Sequence, residues 1–141
     1  AYSLPSRPRT LHPGPRIMES WSILIEKEYL KFSCAHFLIF PDGSKERLHG
    51  HNWRVRVTVS AKKLDKIGVV MDFHDLEARV DAVISLMNNF NLNEHKAFRK
   101  RNPSAENVAL HIAESVALPK KIKLVSVKVW ETGTNCAIWR G

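Results

Sequence analysis

His49, Gly50 and His51 stand at the head of an alternating run in which Trp53, Val55, Val57 and Val59 interleave with Arg54, Arg56, Thr58 and Ser60. In an extended chain, residues two apart project to the same side. His49 and His51 would therefore present their imidazoles together, with Gly50 keeping the position between them small. Zinc accepts imidazole nitrogens at about 2.0–2.1 Å, and a catalytic zinc site uses three protein donors and leaves one position open. His36, ahead of a turn, is the candidate third donor from a neighbouring strand. The same pair can instead hydrogen-bond at the end of a strand with no metal involved. His12 lies in the N-terminal leader, His74 and His111 are expected to be surface or structural residues of helices, and His95 is expected to be solvated in a polar loop.

The elements that must hold these side chains follow from periodicity. The β-branched and aromatic segment 20–40 predicts one long strand over 21–32, then a shorter extended piece carrying His36. Pro41-Asp42-Gly43-Ser44 is a turn signal, and the run from Asn52 to Ala61 is a half-buried strand. Leu76, Val80, Val83, Ile84 and Met87 fall on one face of a helix, and residues 91–102 form a polar loop. Pro103 and Ser104 open a second helix with Val108, Ile112 and Val116 on its apolar face, which Pro119 stops. Two further strands lie in "IKLVSVKVWET" and "NCAIWRG". Strands and helices segregated as β-β-α-α-β-β argue for an α+β fold, an antiparallel four-stranded sheet with two helices on one face. Its uncovered face and edges favour self-association.

At 141 residues and 44% hydrophobic the chain suits one globular domain. It has no apolar run of the roughly 20 residues that span a bilayer. Residues 1–17 hold four prolines and three arginines and are expected to be a flexible leader, tag or presequence remnant, with the domain over 18–141. Without that segment the net charge falls from +8 to +5, from 19 basic and 14 acidic residues. This balance suits an anionic small molecule. No run of interleaved basic and aromatic residues points to nucleic acid. Cys34 and Cys136 make no disulfide framework, so a reducing, cytoplasmic setting is expected.

Several ordered motifs, "FSCAHF", "ERLHGHNWRVRVTV", "GVVMDFHDLE", "NLNE", "NPSAENVA" and "VKVWETGTNCAIW", resemble the 6-pyruvoyl-tetrahydropterin synthase / 6-carboxy-tetrahydropterin synthase family from about Trp21 to Gly141. The resemblance implies the tunnelling fold, whose sheets join into barrels, usually as a dimer of trimers. It implies Zn2+ held by His36, His49 and His51, and a pterin substrate anchored by Glu131, which read alone is a strand-end charge. It also matches Ser104 and Glu106 to a substrate-contacting element, although both fit simple helix-start roles.

The chain departs from the family's proton-transfer set. No cysteine precedes His49, and the family's Asp-His pair aligns with Asn88 and Asn89, which cannot act as general acid or base and also suit a helix C-terminus. Glu46, in Glu-x-x-His-Gly-His, resembles the branch in which a glutamate replaces the cysteine and the side chain of dihydroneopterin triphosphate is cleaved to 6-hydroxymethyl-7,8-dihydropterin. Glu46 is then the candidate base, or else an exposed turn residue beside Lys45 and Arg47. Lys96, Arg99, Lys100 and Arg101 either meet the triphosphate or form a solvated loop. The expected function is a zinc-dependent pterin lyase; the alternative is a pterin-binding homologue without the family's catalysis.

Overall fold

The computed structural model describes residues 20–26 and 32–141. The leader expected over residues 1–17 lies outside them. Six strands and two helices follow in the order β1 (Trp21–Glu26), β2 (Phe32–His36), β3 (His49–Ala61), α1 (Phe73–Ile84), β4 (Phe90–Asn91), α2 (Ala105–Ser115), β5 (Lys123–Trp130) and β6 (Cys136–Arg140). The architecture is α+β, with strand order β4-β2-β3-β5-β6 and β1 also paired to β3.

Three local expectations change. The strand expected over 21–32 is two strands, both antiparallel to β3 but in different registers. Phe32 follows Glu26 by six positions, whereas their partners Trp53 and Arg56 are three apart. Residues 91–102 are not a plain loop: after β4, which lies parallel to β2, come two short 3-10 turns, Leu92–Glu94 and Lys96–Phe98. The sheet is therefore mixed and has six strands instead of four. Composition hid this segment, because its asparagines satisfy backbone groups across the chain instead of following a hydrophobic period.

The alternation in β3 appears as read. Trp53, Val55, Val57 and Val59 are buried and the residues between them half-buried. Helix α1 starts at Asp72, whose carboxylate accepts from the N–H groups of His74 and Asp75, which the free amides of a first turn require. Ser104 does the same for α2 by accepting from Asn107 N. Leu76, Val80, Val83 and Ile84 of α1 and Val108, Ala109 and Ile112 of α2 enter the same core as the β3 valines, with α2 packed on β5 and β6. On the other sheet face Arg54, Lys128 and Arg56 surround the Trp130 ring at 4.0, 4.6 and 5.2 Å.

The β2–β3 hairpin carries the histidines. Its tip is the expected turn: Asp42 Oδ1 accepts from Ser44 N and Ser44 Oγ, and Gly43 takes φ +86°, which a residue with a Cβ rarely adopts.

Candidate metal centre

The hairpin register places His36 directly opposite His49, and Cys34 opposite His51. One face thus carries Phe32, Cys34 and His36 on β2 beside Trp53, His51 and His49 on β3. The alternation that buries the β3 valines also turns both of its histidines to the core side. Trp53, fully buried and stacked on Phe32, forms the floor, with its ring 5.1 Å from that of His36 and 5.8 Å from that of His51.

Two of the three rings are held at Nδ1. His36 Nδ1 meets the Pro103 carbonyl at 2.7 Å, and His49 Nδ1 meets the Arg47 carbonyl at 2.7 Å. A carbonyl only accepts, so each Nδ1 carries the proton and each Nε2 is left with its lone pair. The three rings lie 4.6, 5.3 and 4.9 Å apart.

Glu131 arrives from the end of β5. Arg54 pairs with Trp130, which sets the next residue beside the histidine end of β3, and Glu131 N donates to Asn135 O across the turn to β6. Its Oε1 lies 2.9 Å from His51 Nε2 and 3.6 Å from His36 Nε2. Both Nε2 atoms are buried, yet neither makes a hydrogen bond. Donor atoms of His36, His49, His51 and Glu131 all lie within 4.8 Å of one another. A buried nitrogen lone pair without a partner costs free energy, and three imidazole nitrogens with a carboxylate form a donor set suited to zinc. These residues fit a divalent metal. Burial lowers the His51 pKa, with the charge of Glu131 opposing it, so the imidazole is biased toward its neutral, ligating form.

The other candidates fall into two groups. Glu46 is half-buried at the base of the hairpin; its N–H donates to Leu38 O and its Oε2 accepts from Leu38 N at 3.0 Å. It stands outside the four-residue cluster, three positions before His49. Asn88 and Asn89 hold backbone: Asn88 Oδ1 accepts from Ser33 N at 2.9 Å, and Asn89, at φ +57°, donates its N–H to Ser33 O. Ser104 is engaged as the α2 cap, and Glu106 is exposed in the first turn of that helix. Arg101 pairs with Glu114 at 2.9 Å, and Lys96, Arg99 and Lys100 are exposed. A cleft of about 520 Å³ lies at the β2–β3 hairpin, lined by Ser33, Ala35, Gly50 and Asn52 from the face opposite the histidines and, of the cluster, by His51 alone.

One layer behind the cluster falls in the motifs "NLNE" and "NPSAENVA". Asn93 donates to Phe37 O and accepts from Phe37 N, each at 2.9 Å; Asn102 does the same for Ile39, at 2.9 and 2.8 Å. With Pro103 O on His36, the segment from Asn88 to Pro103 fastens the open edge of the histidine hairpin. The motifs and the asparagine content of 88–107 mark this segment in the sequence, but not which backbone groups it holds.

An α+β fold with a histidine hairpin closed by a strand-end glutamate defines a protein of the tunnelling-fold class. Structural comparison agrees: 6-pyruvoyl tetrahydropterin synthase from Caenorhabditis elegans superposes with a TM-score of 0.72 at 22% identity, over 88% of this chain and 97% of that one. The family model of 6-pyruvoyl tetrahydropterin synthase matches residues 24–141, and the chain belongs to that family. Among its relatives, the dihydroneopterin monophosphate aldolase of Pyrococcus furiosus is 39% identical over 71% of this chain and 82% of its own. The 6-carboxy-5,6,7,8-tetrahydropterin synthase of Synechocystis is 34% identical over 81% and 90%.

Proposed function

We propose that this protein is a zinc-dependent lyase that cleaves the side chain of a phosphorylated 7,8-dihydroneopterin, giving 6-hydroxymethyl-7,8-dihydropterin. The observation that carries the reading is the convergence of His36, His49, His51 and Glu131 within 4.8 Å. Glu46, standing where the family's usual thiol is missing, and the likeness to an aldolase of Pyrococcus furiosus favour carbon–carbon cleavage over the family's other reactions.

His36, His49 and His51 would hold the zinc. When bound, the metal supplies Lewis acidity toward the side-chain hydroxyls, easing loss of a proton. Glu46 takes the proton from the C2′ hydroxyl. The C1′–C2′ bond then breaks: C2′ leaves as the aldehyde of a phosphorylated two-carbon fragment, and its bonding pair passes to C1′, conjugated with the ring C6=N5. Glu46 returns the proton to C1′, and atoms and electrons balance. Glu131 accepts from the pterin amino group and ring N–H, a role suited to a two-oxygen carboxylate. The edges of β1 and β6, which pair with no further strand among the described residues, and Leu24 and Ile138, exposed on the helix-free face, support assembly of copies into a homo-oligomeric barrel, as a dimer of trimers.

Zinc-loaded protein incubated with 7,8-dihydroneopterin monophosphate and, separately, the triphosphate tests the reading by mass spectrometry of products. Release of 6-hydroxymethyl-7,8-dihydropterin that disappears in Glu46→Gln is expected. Tight pterin binding without turnover would instead favour a non-catalytic homologue, a reading supported by the commitment of Asn88 and Asn89 to Ser33.

A further inference from the structure

We infer that Glu131 plays a second role. With no substrate bound, its carboxylate is the fourth donor of the metal centre, and substrate must displace it. The inference rests on the metal reading above and adds a residue to it.

Two donors each about 2.0–2.1 Å from one tetrahedral ion stand about 3.3 Å apart. Glu131 Oε1 lies 2.9 Å from His51 Nε2 and 3.6 Å from His36 Nε2, one value on each side of that edge length. Neither nitrogen makes a hydrogen bond, and both share the 4.8 Å cluster with this oxygen. At His36, whose Nδ1 carries the proton, the Nε2 lone pair is turned toward the Glu131 oxygen, and lone pairs facing one another repel. A cation between them removes the conflict.

The position also allows exchange. Glu131 is the first residue after β5, with its side chain 29% exposed, whereas His36 is 2% exposed and fixed by Pro103. Lying just past a strand end, it can turn outward without moving a strand. A side-chain hydroxyl of the substrate can take the vacated position, and the freed carboxylate meets the N–H groups of the pterin. Glu131 thus seals the centre at rest, and substrate binding opens it.

Cobalt(II), which reports coordination through its visible absorption, provides the test on the full chain without substrate. The wild type, Glu131→Gln and Glu131→Ala are titrated with cobalt against a competing chelator, and far-ultraviolet circular dichroism checks that each variant is folded. Loss of one charged donor is expected to weaken cobalt binding about ten- to a hundredfold and to change the visible bands of both variants. Adding 6-hydroxymethyl-7,8-dihydropterin to the cobalt-loaded wild type should shift its bands, and should shift those of Glu131→Gln much less. Equal affinity and unchanged bands in folded variants would overturn the role of Glu131 as a ligand while leaving the three-histidine centre intact. A wild type that takes up no cobalt or zinc would overturn the centre itself.

Discussion

The carbonyl oxygen of Pro103 lies 2.7 Å from Nδ1 of His36 and fixes which imidazole nitrogen faces the metal cluster. The oxygen is itself held in place. Its neighbour Asn102 is clamped to both backbone groups of Ile39, and Asn107 Nδ2 donates to Asn102 O at 2.8 Å. Groups that orient a metal-binding histidine tune its affinity although they never touch the ion.

Asn102→Ala should therefore weaken zinc binding by about tenfold. It should also cost about 1–3 kcal/mol of stability, because the N–H and C=O of Ile39 both lose their partner. Chelator competition and urea denaturation measure the two effects separately. Unchanged affinity in the folded variant would show that His36 holds its orientation without this clamp.

Trp53 is fully buried beneath His36 and His51 and stacked on Phe32 at 6.0 Å. Trp53→Ala removes the floor of the cluster and should cost about 3–5 kcal/mol. Trp53→Phe, which keeps a ring, should retain most of that stability. The difference in urea midpoint between the two variants checks the assignment.

The two thiols should differ sharply in reactivity. Burial, with the charge of Glu131 adding to it, pushes the Cys34 pKa up to about 12, whereas Cys136 is exposed. The thiolate is the nucleophile, so at pH 8 iodoacetamide should alkylate Cys136 and leave Cys34 untouched until the chain is unfolded. Peptide mass spectrometry reads both sites. Rapid labelling of Cys34 in the folded protein would contradict its place behind His51.

A pH effect is expected from His95 and His111, whose rings lie 5.2 Å apart between the 3-10 turns and α2. Burial lowers both pKa values; Lys96 adds to the effect at His95, while at His111 its neighbours His95, Arg101 and Lys96 outweigh Glu114. A histidine harder to protonate folded than unfolded favours the unfolded state in acid. Its stability contribution is complete above about pH 6.5, the unfolded value, and is lost as pH falls toward the lowered folded value. Urea midpoints between pH 7.5 and 5 should fall less steeply for His111→Gln than for the wild type.

Much of this molecule was readable from local pattern. The period-two alternation of β3 put His49 and His51 on the side of the buried valines, because pleating is a property of neighbouring residues. Both helices, their Ser104 and Asp72 starts and the hairpin turn at Gly43 are likewise decided within a few positions. The position of His36 ahead of the turn made it the candidate third donor, and family motifs added Glu131. Neither pattern nor motif contained the different registers of β1 and β2 on β3, the parallel pairing of β4, or the choice of Phe37 and Ile39 as partners of Asn93 and Asn102. Each of these joins backbone groups far apart in the chain, and their partners are chosen by whichever arrangement leaves fewest buried polar groups unpaired. So the amino-acid order named the side chains that converge as a candidate metal centre. Only the folded sheet, by laying the end of β5 beside the start of β3, decided that the Glu131 carboxylate would lie among the imidazoles.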